Sequence, residues 1–184
     1  MSLSDEFLLT QFKQGDAGAF RELVERYTPP IYNLAYRLLR DPAEAENVTQ
    51  ETFLRIVTAL DRLRLDIPFK PYIFRIAVNL CRDIGRKKKP LRFADLGDDP
   101  APVETFADDA PPLWERLVDE ELRAQLHAAL DALPALYQTV IILRYAEEFS
   151  YEEIAQATSL PLNTVRTRLR RAKQQIRSRL EKRD

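Results

Sequence analysis

The sequence predicts an all-α protein made of two small helical domains joined by a flexible acidic linker. Apolar residues recur at helical spacing along most of the 184 residues, and the alternation typical of strands is absent. Only four glycines occur. Residues 90–112 show no periodicity and are rich in proline and aspartate, so they predict a linker between residues 1–89 and 113–184.

Charge is balanced over the whole chain but is sorted along it. The chain has 28 basic and 29 acidic residues, for a formal net charge of −1. Basic residues concentrate in 82–92 and 166–183, and acidic residues concentrate in 95–109. This sorting predicts that different parts of the chain meet nucleic acid and a cationic protein surface.

Several classes of protein are disfavoured by what the sequence lacks. A single cysteine, Cys81, allows no internal disulfide, and the single histidine, His127, has no neighbours suited to acid–base catalysis. No cysteine–histidine metal spacing and no phosphate-binding glycine loop occur. No apolar run reaches membrane-spanning length, and the first residues show no signal peptide. We therefore expect a cytoplasmic protein, not inserted in a membrane, that is not an enzyme and holds no metal or cofactor.

The first helices are predicted from caps and apolar spacing. Residues 4–14 predict a short helix ended by Gly15, and Asp16 can cap the next helix. Pro29-Pro30 then predicts the start of a third helix, because proline is not easily accommodated in a helix interior.

A helix from Pro42 to about residue 60 is predicted to have a polar outer face. Asp41 is its cap, and proline stands at its first position. The outer face comprises Asn47, Gln50, Glu51, Leu54 and Thr58. A leucine among amide and carboxylate groups suits contact with another protein, and a merely solvated face is the alternative.

The next segment combines a loop over 61–69 with a cationic helix that Pro71 is predicted to start. One face of this helix carries Tyr72, Arg75, Asn79, Arg82 and Arg86. A ring stacks on a base, an amide reads a base edge and guanidinium groups hold phosphates, so this face suits nucleic acid. A surface helix whose basic end is favoured by the helix dipole is the equally weighted alternative.

The second domain is predicted to end in a helix-turn-helix, with helices over 113–133 and from Pro134 packed beneath it. Ser150 and Glu153 form a capping box for a short helix. Thr158 to Pro161 then breaks the chain, and Asn163 or Thr164 can cap the following helix.

The last helix carries a cationic stripe beside its apolar one. The cationic stripe comprises Arg166, Arg170, Lys173 and Arg177, flanked by Arg171 and Arg179. The first residues of such a helix can enter a major groove, where arginine donates two hydrogen bonds to guanine. Later arginines can neutralise phosphates. A solvated basic face is the alternative.

Three blocks of the chain together resemble the extracytoplasmic-function sigma factors, the compact group of the bacterial sigma-70 family. They are DPAEAENVTQETFLRIVTALDRL, FKPYIFRIAVNLCRDIGRKKK and LPALYQTVIILRYAEEFSYEEIAQATSLPLNTVRTRLRRAKQQI. The last block alone would also resemble response-regulator DNA-binding domains, but the three blocks in order are specific. The resemblance implies a region 2 domain over 1–89, which binds core polymerase and the −10 element. It also implies the acidic linker over 90–112 and a region 4 domain over 113–184, which binds the −35 element.

The resemblance implies roles for individual residues. The β′ clamp helices of core RNA polymerase would be faced by Asn47, Gln50, Glu51 and Leu54. The −10 element would be held by a base-capturing loop and the helix after it, through Arg64, Phe69, Tyr72, Arg75, Asn79, Arg82 and Arg86. The −35 element would be contacted by Tyr151, Thr164, Arg166, Thr167, Arg170, Arg171 and Lys173. The family's usual turn glycine is Ser159 here, and a left-handed turn is less comfortable for serine.

The implied partners are promoter DNA, core RNA polymerase and an anti-sigma protein. The back of the region 4 domain would meet the β flap of polymerase. A tether that lets both domains close around a partner supports the anti-sigma expectation. Two other classes are considered: a stand-alone transcription regulator and a protein that inhibits polymerase. The second cationic face argues against the regulator, and the groove-ready arginines argue against the inhibitor.

Overall fold

The computed structural model describes residues 3–63, 67–94 and 120–181 of the chain. Within these ranges the backbone forms helices and no strand, which confirms the all-α class. The elements are α1 (Asp5–Lys13), α2 (Ala17–Leu39), α3 (Pro42–Thr58), a 3-10 turn (Leu60–Arg62), α4 (Phe69–Lys88), α5 (Glu120–Asp131), α6 (Ala135–Tyr145), α7 (Tyr151–Thr158) and α8 (Leu162–Glu181). None of these helices has the length and apolar content needed to cross a membrane.

The caps predicted for the first two helices are confirmed. The Ser4 hydroxyl accepts a hydrogen bond from the backbone N–H of Phe7 at 3.2 Å. The Asp16 carboxylate accepts one from the N–H of Gly18 at 2.8 Å. Each cap satisfies a backbone donor that has no partner inside its helix.

The helix start predicted at Pro29-Pro30 is wrong, because α2 continues through both prolines to Leu39. The buried stripe of α2 keeps one helical phase on either side of them, through Leu23, Tyr27, Ile31, Leu34 and Leu38. Burial of this continuous stripe outweighs the hydrogen bonds that the two prolines remove.

The third and fourth helices begin close to their predicted positions. The Asp41 carboxylate caps α3 by accepting from the N–H of Glu44 at 3.2 Å. Helix α4 begins at Phe69 rather than at Pro71. Pro71 lies in the first turn, where its missing N–H would have had no helical partner. The ring of Phe69 is buried and anchors this first turn.

The helix-turn-helix is confirmed, with one boundary changed. The Ser150 hydroxyl accepts from the N–H of Glu153 at 3.1 Å, and the Glu153 carboxylate accepts from the N–H of Ser150 at 2.7 Å. Helix α8 begins at Leu162, so the caps predicted at residues 163 and 164 are wrong. The turn is closed earlier, because Ser159 adopts a left-handed conformation with φ of 57°.

Helices α1–α4 and α5–α8 form two domains that pack directly on one another. Helix α7 lies along α4, and α6 approaches α2. The beginning of the predicted linker is packed as well, since Phe93 is only 3% exposed. The remainder of that linker, and residues 113–119 of the predicted helix over 113–133, lie outside the described residues. The sequence did not predict this contact between domains.

Candidate nucleic-acid interface

The outer face of α3 is exposed and carries an uncovered apolar side chain. Asn47 and Gln50 are exposed, and Leu54 is 56% exposed. Glu51 is half-buried and forms an ion pair with Arg55 at 2.9 Å. All four residues of the predicted docking set therefore share one face of α3, and Leu54 is its apolar point.

The beginning of α3 is tied to the basic end of α4. Lys88 forms ion pairs with Glu44 and, at 3.5 Å, with Asp41. The hydrogen bond from Lys88 lowers the pKa of Glu44, and the backbone N–H of Glu44 lowers the pKa of Asp41. The hydrogen bond with Glu44 in turn raises the pKa of Lys88. One cation of the predicted basic run is thus already paired within the protein.

The predicted nucleic-acid face of α4 is assembled as a continuous stripe. The guanidinium of Arg75 lies over the ring of Tyr72, 5.4 Å from its centroid. The side-chain carbonyl of Asn79 accepts a hydrogen bond from Arg82 at 2.9 Å. Arg75 and Arg86 are exposed, whereas the other members are half-buried. The stripe therefore offers an aromatic ring, an amide and guanidinium groups along one helix.

Two further residues assigned to the −10 element do not join this stripe. Phe69 is 2% exposed, and its ring packs edge-on against Tyr27 with 5.5 Å between centroids. A ring buried in this way cannot stack on a base, so the assignment of Phe69 is corrected to a core residue. Arg64 lies outside the described residues.

Helix α8 presents its polar side outward from a fixed buried stripe. Val165, Leu169 and Ala172 are almost fully buried, which sets the rotation of the helix. Arg166 is consequently exposed. The other α8 residues of the predicted −35 set are half-buried, namely Thr164, Thr167, Arg170, Arg171 and Lys173.

Aromatic rings support the flanks of this face. Lys173 lies over the ring of Tyr145, 5.7 Å from its centroid. Tyr151, the predicted −35 residue on α7, is half-buried beneath the guanidinium of Arg144 at 5.3 Å. Arg144 also donates a hydrogen bond to the carbonyl of Phe149 at 2.9 Å. These contacts fix the start of α7 relative to α6.

Sequence reasoning missed the residues that join the two domains. The sequence predicts Arg92 only as part of a basic segment, although its guanidinium donates to the side chain of Gln138 at 2.5 Å. Lys70 was assigned no role, although its ammonium donates to the carbonyl of Glu147 at 2.6 Å. The available signal was Gln138 itself, a polar residue within an apolar helix, and it is 1% exposed.

The two other candidate reactive groups, Cys81 and His127, differ in exposure. Cys81 is fully buried, and burial raises the pKa of its thiol to about 12, so the reactive thiolate is disfavoured. His127 is exposed on α5. Among the described ranges, no group of three or more potential metal ligands comes together.

Two family models match the chain, one in each domain. The model for sigma-70 region 2 matches residues 23–90. The model for sigma-70 region 4 matches residues 123–176. These matches cover the helices that carry both cationic faces.

Curated relatives match nearly the whole chain. The ECF RNA polymerase sigma factor SigW of Bacillus subtilis is 35% identical over 94% of each chain. The RNA polymerase sigma-H factor of Pseudomonas aeruginosa is 33% identical over 94% of this chain and 91% of its own. SigE of Mycolicibacterium smegmatis is 37% identical over 88% of this chain and 61% of its own.

Solved structures share the fold at lower identity. CnrH, in complex with the cytosolic domain of CnrY, superposes with a TM-score of 0.70, 24% identity and coverage of 96% of this chain and 97% of its own. The sigma factor RpoE of Bartonella quintana, in complex with the anti-sigma factor NepR, superposes with a TM-score of 0.63 and 23% identity. The match covers 88% of this chain and 96% of its own.

Proposed function

The chain belongs to the extracytoplasmic-function sigma factors of the sigma-70 family, and we propose that its exposed faces divide the work of such a factor among them. It binds core RNA polymerase, recognises the −35 and −10 elements of a promoter and promotes strand opening. In this role the chain contributes recognition, and the polymerase contributes catalysis. Its place of action is the cytoplasm, with the polymerase.

The polymerase-docking surface is the outer face of α3, with Asn47, Gln50, Glu51 and Leu54 against the β′ clamp helices. The support is Leu54, an apolar side chain 56% exposed among polar neighbours. Burying it against a partner removes apolar surface from water, and the amide groups around it can pair across the interface. The β flap contacts the back of the region 4 domain.

The −10 surface is the stripe on α4, with Tyr72, Arg75, Asn79, Arg82 and Arg86. Opening a duplex requires unstacking of bases, which costs a few kcal/mol for each flipped base. A half-buried aromatic ring held beneath Arg75 can recover part of that cost by stacking on an exposed base. The guanidinium groups of the stripe neutralise the phosphates of the separated strand.

The −35 surface is the outward side of α8 with the start of α7. Arg166 and Arg170 stand on the helix that follows the turn, the position from which side chains reach base edges in the major groove. Thr164, Thr167 and Arg171 extend this face, and Tyr151 and Lys173 lie at its margins.

An anti-sigma protein controls the factor by holding both domains. The support is the two-domain arrangement, in which a partner that contacts both halves would cover two promoter-binding faces at once. A Bartonella quintana sigma factor of the same fold is bound by an anti-sigma factor. Purification from the native host is expected to yield a companion protein that suppresses transcription when added back, and constitutive activity without such a companion contradicts this expectation.

The function as a whole rests on one observation: the three faces occur in a single chain that is 35% identical to SigW over 94% of its length. Run-off transcription from a genomic fragment pool with purified core polymerase tests it. The chain is expected to direct specific starts only as holoenzyme. Specific duplex binding without polymerase would indicate a stand-alone regulator, and inhibition without specific starts would indicate a polymerase inhibitor.

A further inference from the structure

The two DNA-binding domains are fastened to each other through α4 and α7. The ring of Phe74 on α4 packs edge-on against Phe149, just before α7, with 5.1 Å between centroids. The ammonium of Lys70 lies 4.8 Å from the centre of the same Phe149 ring. Arg40, after α2, forms an ion pair with Asp131 at the end of α5. These contacts join residues that belong to different sigma regions.

Arg92 crosses the boundary between the domains. Its guanidinium donates hydrogen bonds to the carbonyl of Arg37 in the first domain at 3.3 Å and to the carbonyl of Asp131 in the second at 3.2 Å. The bond to the Gln138 side chain makes a third. The carbonyl of Arg92 accepts from the N–H of Ala135, which begins α6, at 3.0 Å. One residue therefore binds the ends of three helices.

Phe93 fills the space beside Arg92. It packs so closely on α4 that a Cβ placed on Gly85 would lie 2.3 Å from its ring carbons. Leu91, two residues earlier, is 94% exposed. The buried contact is thus specific to residues 92 and 93, which we name the latch. The latch stands at the start of the linker between the domains.

The closed arrangement conflicts with binding to both promoter elements. The −35 and −10 elements lie about 25 base pairs apart, or roughly 85 Å at ~3.4 Å per base pair. Helix α8 has 20 residues and is therefore only about 30 Å long. It directly follows α7, which packs on α4, the −10 helix. With α4 and α7 in contact, the two surfaces cannot reach both elements at once.

A cleft between the domains also partly buries the side chains of Arg82 and Arg168. A cavity of about 60 Å³ is lined by Val78, Arg82 and Phe93 from one side and by Thr158, Leu160 and Arg168 from the other. Arg82 is a member of the −10 stripe, and its Nε is buried without a hydrogen-bond partner among the described residues. In the closed arrangement, part of the Arg82 guanidinium is therefore inaccessible to DNA.

We propose that Arg92 and Phe93 form an intramolecular latch that holds the factor in a closed, promoter-incompetent form and must release before both elements are engaged. The proposal rests on the proposed function for its consequence, but the latch itself is a property of the isolated chain.

Energy transfer between two labels measures opening without DNA or polymerase. Glu25→Cys and Gln174→Cys place labels on exposed positions of the two domains, and buried Cys81 does not compete for label. Arg92→Ala removes charge-assisted hydrogen bonds and Phe93→Ala removes a buried ring. Each is expected to raise the ratio of open to closed molecules at least about tenfold. Leu91→Ala is the matched control and leaves the ratio unchanged.

A variant with the opposite effect separates a latch from general damage to the fold. Gln138→Glu gives Arg92 a charged acceptor and is expected to lower the open fraction several-fold. With core polymerase, the two alanine variants are expected to start transcription at lower factor concentration than Leu91→Ala, and Gln138→Glu at higher concentration.

Two outcomes overturn the proposal: an open fraction that is the same in the Arg92, Phe93 and Leu91 variants, or opening that leaves transcription unchanged. If the label distances shift as expected but no variant, nor the wild type, directs transcription, the proposed function fails while the latch contact stands.

Discussion

The cationic helices α4 and α8 look alike in sequence, but individual cations on them differ in whether they form hydrogen bonds or ion pairs within the protein. On α4, Arg82 is bonded to Asn79 and Lys88 is paired with two carboxylates, and Lys89, just after α4, donates to the carbonyl of Leu39 at 2.5 Å. On α8, no described residue forms a hydrogen bond or ion pair with Arg166 or Arg170.

A basic stripe is therefore not by itself a measure of free positive charge. Arg166 and Arg170 on α8 are available for DNA, so a substitution of either should subtract directly from recognition. Arg82 and Lys88 on α4 also form bonds within the protein, so substituting either changes both stability and binding.

Removing a free arginine of α8 should give the largest loss. Arg170→Ala is expected to weaken promoter recognition by about 1–3 kcal/mol, or roughly 5- to 150-fold, through loss of a bidentate base contact. Run-off transcription from promoters with intact and scrambled −35 elements measures the effect. Gln174→Ala, an exposed neighbour on the same helix, is the control. An equal loss on every sequence would identify Arg170 as a phosphate contact instead.

Altering the docking face should leave both cationic helices intact. Leu54→Asp is expected to reduce affinity for core polymerase by about tenfold or more, because a charge replaces an apolar contact in a desolvated interface. A pull-down with purified core enzyme measures affinity, and circular dichroism checks that the domain stays folded. Asn33→Asp adds the same charge at an exposed site on α2 and should bind normally. Unchanged binding by the Leu54 variant contradicts the docking assignment.

The turn before α8 carries strain that α4 does not share. Ser159 has φ of 57°, a conformation that costs residues with a Cβ roughly 1–2 kcal/mol. Ser159→Gly is therefore expected to raise the free energy of unfolding by about 1 kcal/mol in a urea titration. Ser159→Ala keeps the Cβ and should bring no such gain. Equal stability of the glycine and alanine variants would show that Ser159 carries no such strain.

The ion pairs of Lys88, at the end of α4, should make the stability of the protein depend on pH in the acid range. The folded-state pKa values of Asp41 and Glu44 lie below their usual 3.8 and 4.5, so their contribution to stability is present above those values and is lost as pH falls through the folded ones. Glu44→Gln removes the contribution of Glu44 to this pH-dependent stability. Urea titrations at about pH 7 and about pH 3 should show a smaller loss in this variant than in wild type. Glu46→Gln, an exposed neighbour, should match wild type.

Local features of the chain were readable from the sequence because they depend on near neighbours. The caps at Ser4, Asp16, Asp41 and Ser150 each need only a side-chain acceptor two or three residues from the backbone N–H that donates to it. The same holds for the capping box of α7 and for the stripes of α4 and α8, which follow from helical spacing. The family blocks supplied the order of the two domains.

Predictions from the sequence are wrong where a local signal competes with packing between distant residues. Pro29 and Pro30 favour a break, but the buried stripe of α2 on both sides of them favours a single helix, and packing wins. The family resemblance assigns Phe69 to the loop that holds the −10 element, yet its ring packs in the core against Tyr27. Neither outcome can be deduced without knowing which surfaces meet.

The sequence by itself determined most of the helices, the caps at Ser4, Asp16, Asp41 and Ser150, the helix-turn-helix and the order of the two cationic stripes, because each arises from residues only a few positions apart. Only the tertiary structure decided that Arg92 joins the two domains, through acceptors 39 to 55 positions away along the chain. Contacts over such separations depend on how whole domains fit, and no local pattern records that fit.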